Sequence, residues 1–365
     1  MKEEKRFRYW LCKVEGIGDG TTKRLLEAFG SAKEVYGAPD KYLEMLLKPK
    51  QLENLKKSRK IWQLEEEYHS LETRNIQLLL PEEETYPEHL KHIPDPPMTL
   101  FCKGKLPEDD VMSVAVIGAR ECSEYGRYVA QGLGKALGEQ GVQVISGMAR
   151  GVDGISQMAA LEGGGASFAV LGCGVDICYP STNQELYDRL LQEGGVLSPF
   201  PPGTKPRPQN FPPRNRIVSG LADIVIVVEA RDKSGTLITV DMALEQGREV
   251  YVVPGRITDR LSDGCNKLIK QGAGVILSPY DFLEEIVQSG NVIPKKETAV
   301  KEQGKLSPEQ RQVYETLDFY PRSLDEIMKD LPKDFTAIQV NTILLELCMI
   351  QLATQLTPGH FSLKV

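Results

Sequence analysis

The stretch that decides the fold is "SVAVIGARECSEYG", Ser113 to Gly126. It opens with a short unbroken apolar run rich in valine, breaks at Gly118, and passes through small and charged residues into a helical pattern from about Glu124 to Gln140. An apolar run this short, bounded by glycine and followed by a helix, reads as a parallel strand buried on both faces. The same pattern recurs at "VQVISG" (142–147), with a helix from about Asp153 to Glu162. It continues through "ASFAVLG" (166–172), "GVLSP" (195–199), "DIVIVVEA" (223–230) and "EVYVVPG" (249–255), and ends at "GVILS" (274–278). Strands alternating with helices predict an α/β domain: a doubly wound, extended Rossmann-like parallel sheet covered by helices on both faces.

Working outward, a chain of 365 residues has room for further domains. Residues 1–80 read as a helical domain of helix-hairpin-helix or SAM-like type. In it "VEGIGDGTTKRLLEAFG" puts a G-x-G turn before an apolar-periodic helix that closes at Gly30. Glu15 and Asp19 bracket those glycines and would repel a phosphate, so this module reads as a packing or protein-contact element. Residues 81–112, with the proline-rich "YPEHLKHIPDPPMTLFCKG", read as a connector packed on the next domain, 113–288. Residues 289–305 are polar and unpatterned, as in a linker. Residues 306–365 give three helices and a terminal hairpin, a winged-helix-like pattern. The candidate recognition helix, Thr336 to Cys348, carries no Lys or Arg, and the segment from Lys305 on has 6 basic and 8 acidic residues. Duplex reading needs cations against phosphates, so a protein-contact role is expected there.

The composition narrows the chemistry. The net charge is −7, so any contact with nucleic acid has to be local. The amino terminus lacks an apolar signal core and nothing later resembles a membrane span, so a cytoplasmic protein with no membrane partner is expected. Seven scattered cysteines suit free thiols. The spacing of Cys173 and Cys178 has no second pair or nearby histidine to make a zinc site. The four histidines, His69, His89, His92 and His360, all lie outside the central sheet, which excludes histidine-based nucleophilic catalysis there.

In an open parallel sheet, ligands bind beyond the carboxyl ends of the strands. Four of those ends here share one design of glycine turn, small or cationic residues and helix start. They are "GARECSEYG" (118–126), "SGMARGVDG" (146–154), "GCGVDICYPSTN" (172–183) and "EARDKSGTLIT" (229–239). Glycine lets backbone N–H groups approach an anion, and a helix N-terminus adds about half a positive charge. The edge therefore reads as a phosphate-binding rim, with Gly118, Arg120, Ser123, Ser146, Gly147, Arg150, Gly235 and Thr236 as its candidate residues. Neither G-x-G-x-x-G nor a P-loop is present. Asp153 and Asp176 sit where capping or turn carboxylates are expected, which leaves Glu229 as the carboxylate to test for catalysis.

A second element faces the same chemistry. "NFPPRNRIVSG", Asn210 to Gly220, reads as a proline-stiffened loop carrying Phe211, Arg214, Asn215 and Arg216, with Lys205 and Arg207 just before it. No acid occurs between Glu193 and Asp223. An aromatic ring can stack on an unpaired base and cations can neutralise its backbone, so this stretch fits single-stranded nucleic acid. A buried ring with arginines tied to the sheet is the structural alternative.

These motifs resemble the DNA-processing protein A family (DprA, also called Smf), from about Tyr86 to Glu285. The likeness rests on the order of "AVIGAR" with "SEYG", "SGMARGVD", "AVLGCGVDICYP", "FPPRNRIVSGL", "VVEA" with "SGTLIT", "ALEQGREVYVVPG", "GCNKLI" and "QGAGVI". The resemblance implies a non-catalytic protein, without cofactor or metal, that binds single-stranded DNA. Such proteins protect incoming DNA in natural transformation, help load the RecA recombinase, and form homodimers through the Rossmann-like domain. It also implies DNA contacts at Arg120, Phe211, Arg214 and Arg216, with the Gly147 and Gly235 turns on the same rim and Asn266 of "GCNKLI" as a further candidate. Ala119, Gln157 and Pro199 depart from the family pattern, in which Ser or Thr, His and an acid are frequent. A second reading is a nucleotide or sugar-phosphate hydrolase, since "SGTLITVDMALEQGR" resembles the helix start of phosphoribohydrolases, with Glu229 or Glu245 as its acid. A third is an adaptor whose rim binds nothing.

Overall fold

The computed structural model describes residues 2–288, 306–318, 321–332, 334–350, 352–357 and 359–363. The proposed linker, 289–305, lies outside them. The chain divides into two compact units, Met1–Cys122 with Val129–Ile293 and Ser123–Tyr128 with Pro294–Val365.

The first unit begins with helices α1 (Lys2–Lys13), α2 (Asp19–Phe29), α3 (Ala32–Gly37), α4 (Asp40–Leu43), α5 (Pro49–Ile61) and α6 (Leu64–Thr73). They close around Trp10, Leu11, Leu25, Val35, Leu43 and Leu55. Next come β1 (Gln77–Leu79), α7 (Glu88–Lys91), β2 (Leu100–Gly104), β3 (Ser113–Ile117), α8 (Glu124–Glu139, in this unit from Val129 on) and β4 (Gln143–Ser146). Then follow α9 (Val152–Glu162), β5 (Ser167–Val170), α10 (Gln184–Glu193), β6 (Gly195–Ser198), α11 (Phe211–Gly220) and β7 (Ile224–Val227). The unit finishes with α12 (Gly235–Glu245), β8 (Glu249–Val252), α13 (Asp263–Lys270), β9 (Gly274–Val275) and α14 (Pro279–Gln288).

The strands form one sheet in the order β1-β2-β6-β5-β4-β3-β7-β8-β9. From β6 to β9 neighbouring strands run parallel, whereas β2 pairs antiparallel with β6 and β1 antiparallel with β2. The sheet thus begins before Ser113. The stretch read as a connector supplies its antiparallel edge, and Tyr86, Leu90 and Ile93 beside it are buried in the main core. The sequence hides these strands because β1 has only three residues and proline-rich "PDPPM" precedes β2. Strands β3 to β7 are buried on both faces, as their unbroken apolar runs require.

The chain order reverses at β3. From β3 it steps to β4, β5 and β6 on one side, then returns to β7, β8 and β9 on the other. The loops leaving β3 and β7 therefore part to opposite faces of the sheet and open a cleft at its carboxyl edge.

Gln157 on α9 ties this edge together. It is fully buried; its Oε1 accepts from the Met148 N–H at 3.0 Å, and its Nε2 donates to Ser167 Oγ and Phe168 O, both at 3.1 Å. Met148 adopts φ 52°, a conformation a side chain resists, and Gln157 helps to hold it.

In the second unit, α15 (Pro308–Glu315), α16 (Leu324–Asp330) and α17 (Ala337–Met349) each start with a reciprocal capping box, Ser307 with Gln310, Ser323 with Glu326 and Thr336 with Gln339. Strands β10 (Arg322–Ser323), β11 (Ala353–Thr357) and β12 (His360–Leu363) form a sheet in the order β10-β12-β11. Val313, Ile327, Val340, Leu344 and Phe361 fill the core.

Replacing Gln157 with leucine leaves the buried Met148 N–H without a partner, at about 1–3 kcal/mol, and removes the donor to Ser167 Oγ and Phe168 O. The Gln157→Leu protein is expected to lose about 2–4 kcal/mol in urea unfolding. A change below about 0.5 kcal/mol contradicts the bracing role.

Candidate nucleic-acid interface

The cleft between the β3 and β7 loops holds a cavity of about 530 Å³. Gly118 and Arg120 line it from the β3 turn, Arg231 and Ser234 from the β7 loop, and Gly235 and Thr236 from the start of α12. Glu121, Gly147 and Asp153 also line it, as do Phe211, Arg214, Asn215 and Val218.

Those last four are spaced i, i+3, i+4 and i+7, because "FPPRNRIVSG" is not a loop but helix α11. Pro212 and Pro213 fall in its first turn, where proline's missing N–H costs nothing. Reading the prolines as loop stiffeners missed this, and the helix decides where each arginine points. Arg214 shares the face of Phe211. Arg216, two residues on, faces away, donates to Pro94 O at 3.2 Å and pairs with Glu245 at 3.6 Å. Arg216 is thus tied to the connector and the far end of α12, and not to the sheet.

Arg214 is not a surface cation either. It is 4% exposed, and its Nη1 donates to Gly147 O at 2.6 Å and Val170 O at 2.7 Å, pinning the ends of β4 and β5 together. Burial works against its charge and the nearby Asp153 carboxylate supports it. Burial likewise pushes the Asp153 carboxyl up, opposed by Arg214 and by the Gly147 N–H at 3.2 Å. Gly147 has to be glycine: a Cβ there would meet Arg214 Nη1 at 1.9 Å. Its amide is spent on Asp153, so the Gly147 turn supplies shape to the rim and not a phosphate donor.

Phe211 is half-buried at the rim. Its ring rests on Gly172, where a Cβ would come within 2.9 Å of it. The Arg120 guanidinium carbon lies 5.3 Å from the ring centroid and that of Arg214 5.6 Å, both within cation–π reach. Tyr179, which sequence reasoning passed over, lies 6.0 Å away centroid to centroid and is 40% exposed. A smaller pocket beside the cavity is lined by both rings with Arg120 and the exposed Arg150. The arrangement offers two aromatic surfaces flanked by cations.

The other candidates have local placements of their own. Ser146 is fully buried and donates to Val116 O at 2.7 Å. Ser123 Oγ accepts from the Gly126 N–H at 3.0 Å at the start of α8. Asn266 braces a turn, accepting from the Gly255 N–H at 3.3 Å and donating to Gly255 O at 3.1 Å. Lys205 is exposed but does not line the cavity. Glu229 is 1% exposed and lies outside the cavity lining, and Glu245 is held by Arg216, so neither acid of the hydrolase reading reaches the cleft. Asn183, also missed, donates to Met148 O at 3.0 Å and Ala149 O at 3.2 Å and fixes the β4 turn. Its signal was a side-chain amide just past "CYPST", where a turn needs one. By contrast, α12 starts at Ser234 without a side-chain cap, and its first turn faces the cavity. Among the described residues no cluster of His, Cys, Asp or Glu could hold a metal ion, and no helix is long and apolar enough to cross a membrane.

Comparison with known proteins points the same way. DNA processing protein DprA of Streptococcus pneumoniae is 43% identical over 203 residues, 56% of this chain and 72% of that protein. Protein Smf of Synechocystis is 35% identical over 295 residues, 76% of this chain and 72% of that protein. The solved structure of the S. pneumoniae protein matches with a TM-score of 0.66 at 34% identity, covering 77% of this chain and 97% of that one. A structure of DNA processing protein A from Helicobacter pylori, concerned with that protein's single-stranded DNA binding mode, matches with a TM-score of 0.53 at 29% identity, covering 59% and 96%. The family model of DNA recombination-mediator protein A matches residues 77–287, from the first residue of β1 into α14. That span exceeds half of the chain and takes in the whole sheet with its cleft, so the chain belongs to the DNA recombination-mediator protein A family.

Proposed function

We propose that this protein is a non-catalytic mediator of DNA recombination that holds single-stranded DNA along the carboxyl edge of its sheet. In natural transformation it would protect the incoming strand in the cytoplasm and help load the RecA recombinase on it. One observation carries the reading: a half-buried Phe211 ring at the mouth of the cleft, with the exposed Arg120 at 5.3 Å. An aromatic platform beside a cation suits an unpaired base and its phosphate whatever the base. Arg150 and the uncapped start of α12 offer further places for backbone phosphates. Arg214 serves by holding the platform, not by touching the strand. Membership in a recombination-mediator family, and the single-strand binding of the H. pylori relative, support the choice of ligand.

We also infer a homodimer through the Rossmann-like domain, joined at the β9 edge. There Val275 is 37% exposed, Leu277 80% and Tyr280 63%, an apolar group beside an open strand edge.

Oligothymidine titrations are expected to show strong, salt-dependent binding that duplex of the same length does not match. Phe211→Ala is expected to weaken it by about 1–3 kcal/mol, and Arg120→Ala to reduce the slope of log K against log salt by about 0.7. Arg216→Ala is expected to bind as the wild type does, because that side chain faces away. Equal binding by wild type and the Arg120→Ala, Phe211→Ala double variant rejects the site. For the dimer, Leu277→Asp is expected to sediment as a monomer; a wild type that is itself monomeric at micromolar concentration rejects that part.

A further inference from the structure

The cleft is built mainly on the loops after β3, β4 and β7 and takes only Leu261 from the next loop, 253–262, whose cations it does not use. We propose that the strand-binding surface continues beyond the cavity over the β7 and β8 loops, with Lys233, Arg256 and Arg260 meeting backbone phosphates and Ile257 meeting a base. One protomer then holds a longer run of single strand than the cavity alone can. The inference rests on the reading of the cleft as a single-strand site.

Topology supplies the path. β3, β7 and β8 are neighbours and parallel, so their carboxyl-end loops open on one edge of the sheet. Adjacent strands lie about 4.8 Å apart, so the edge from β6 to β8 spans about 24 Å, room for several nucleotides. The β8 loop is also part of the cavity wall. Leu261 O accepts from the Ala230 N–H at 2.8 Å, and Leu261, Ala230 and Arg231 all line the cavity. A strand leaving the cavity past Arg231 therefore meets this loop next.

Charge and shape agree with the path. Lys233, Arg256 and Arg260 are exposed. The acids of the two loops are engaged elsewhere or buried: Asp232 pairs with Lys267 at 2.7 Å, Asp259 Oδ1 accepts from the Leu261 N–H at 2.9 Å, and Glu229 is 1% exposed. Ile257, between the two arginines in "GRITDR", is 91% exposed, more than any other large apolar side chain among the described residues. It stands on a shaped turn, in which the Asp259 N–H donates to Arg256 O and the Ser262 N–H to Asp259 O, both at 3.0 Å, while Asn266 braces Gly255. Cations flanking an exposed apolar group repeat, on the far side of the cavity, the pairing of Arg120 with Phe211.

The test compares oligothymidine of about four and about fifteen nucleotides over a range of salt, using full-length wild type, Lys233→Ala/Arg260→Ala, Ile257→Ser and Arg120→Ala. For the longer oligomer the double variant is expected to lower the slope of log K against log salt by about 1.4, two phosphates' worth, and to leave the slope for the short one unchanged. Ile257→Ser is expected to weaken binding of the longer oligomer at every salt concentration without changing its slope. An unchanged slope for the longer oligomer, or an equal loss on both, overturns the extension while loss of binding in Arg120→Ala upholds the cleft. Failure of the wild type to bind either oligomer overturns the cleft reading and the extension with it.

Discussion

A buried guanidinium organises the working edge of this protein. Arg214 reaches from α11 under the sheet's carboxyl end and donates to the carbonyls that close β4 and β5. Asp153 supports its charge, and the Phe211 ring lies over it. A buried charge that loses its partners is costly, on the order of 3–5 kcal/mol, so the sequence around it is closely constrained. Gly147 must lack a side chain to admit it, and Gly172 must lack one to seat the ring. The β4 turn, with Met148 at positive φ, is then held by Gln157 and Asn183. The rim is a hydrogen-bonded frame, in which Arg214 Nε and Ser234 Oγ are buried without partners, and it leaves Arg120 and Arg150 exposed and Phe211 half-exposed.

Under the proposed function, that frame is what lets an acidic chain hold a polyanion. Its net charge is −7, yet the loops at the carboxyl edge of the sheet expose Arg120, Arg150, Arg231, Lys233, Arg256 and Arg260. Binding confined to one edge favours a flexible single strand, which can follow the edge and splay its bases, over a duplex that needs a broad basic face. The second unit fits the division of labour. Helix α17 exposes Ile338 and Met349, 82% and 83%, and carries no Lys or Arg, so its outer surface has no means to neutralise phosphates.

Much of the fold was legible because parallel strands buried on both faces must be short apolar runs, and here they alternate with helices at regular intervals. The reversal at β3, which makes the cleft, follows from strand order and was not written in any local pattern. The same holds for β1 and β2, whose runs are too short or too rich in neighbouring proline to declare themselves. At the cleft, Arg120 and Phe211 stood out as residue types, and the fold brings them together at 5.3 Å. Arg214 and Arg216 did not separate, since an arginine buried under a turn and one on the surface look identical in sequence. The discriminating signal was the helical register from Phe211, which places 214 with the ring and 216 opposite it.

The central claim is that a base of single-stranded DNA rests on the Phe211 face beside Arg120. Photocrosslinking of oligothymidine carrying 5-iodouracil, followed by mapping of the modified peptide, tests it directly. The account predicts adducts on Phe211 or its neighbour Tyr179, lost when Arg120 is replaced by alanine. Adducts that map instead to α17 or to the helices before residue 77, with none on the α11 face, would contradict it.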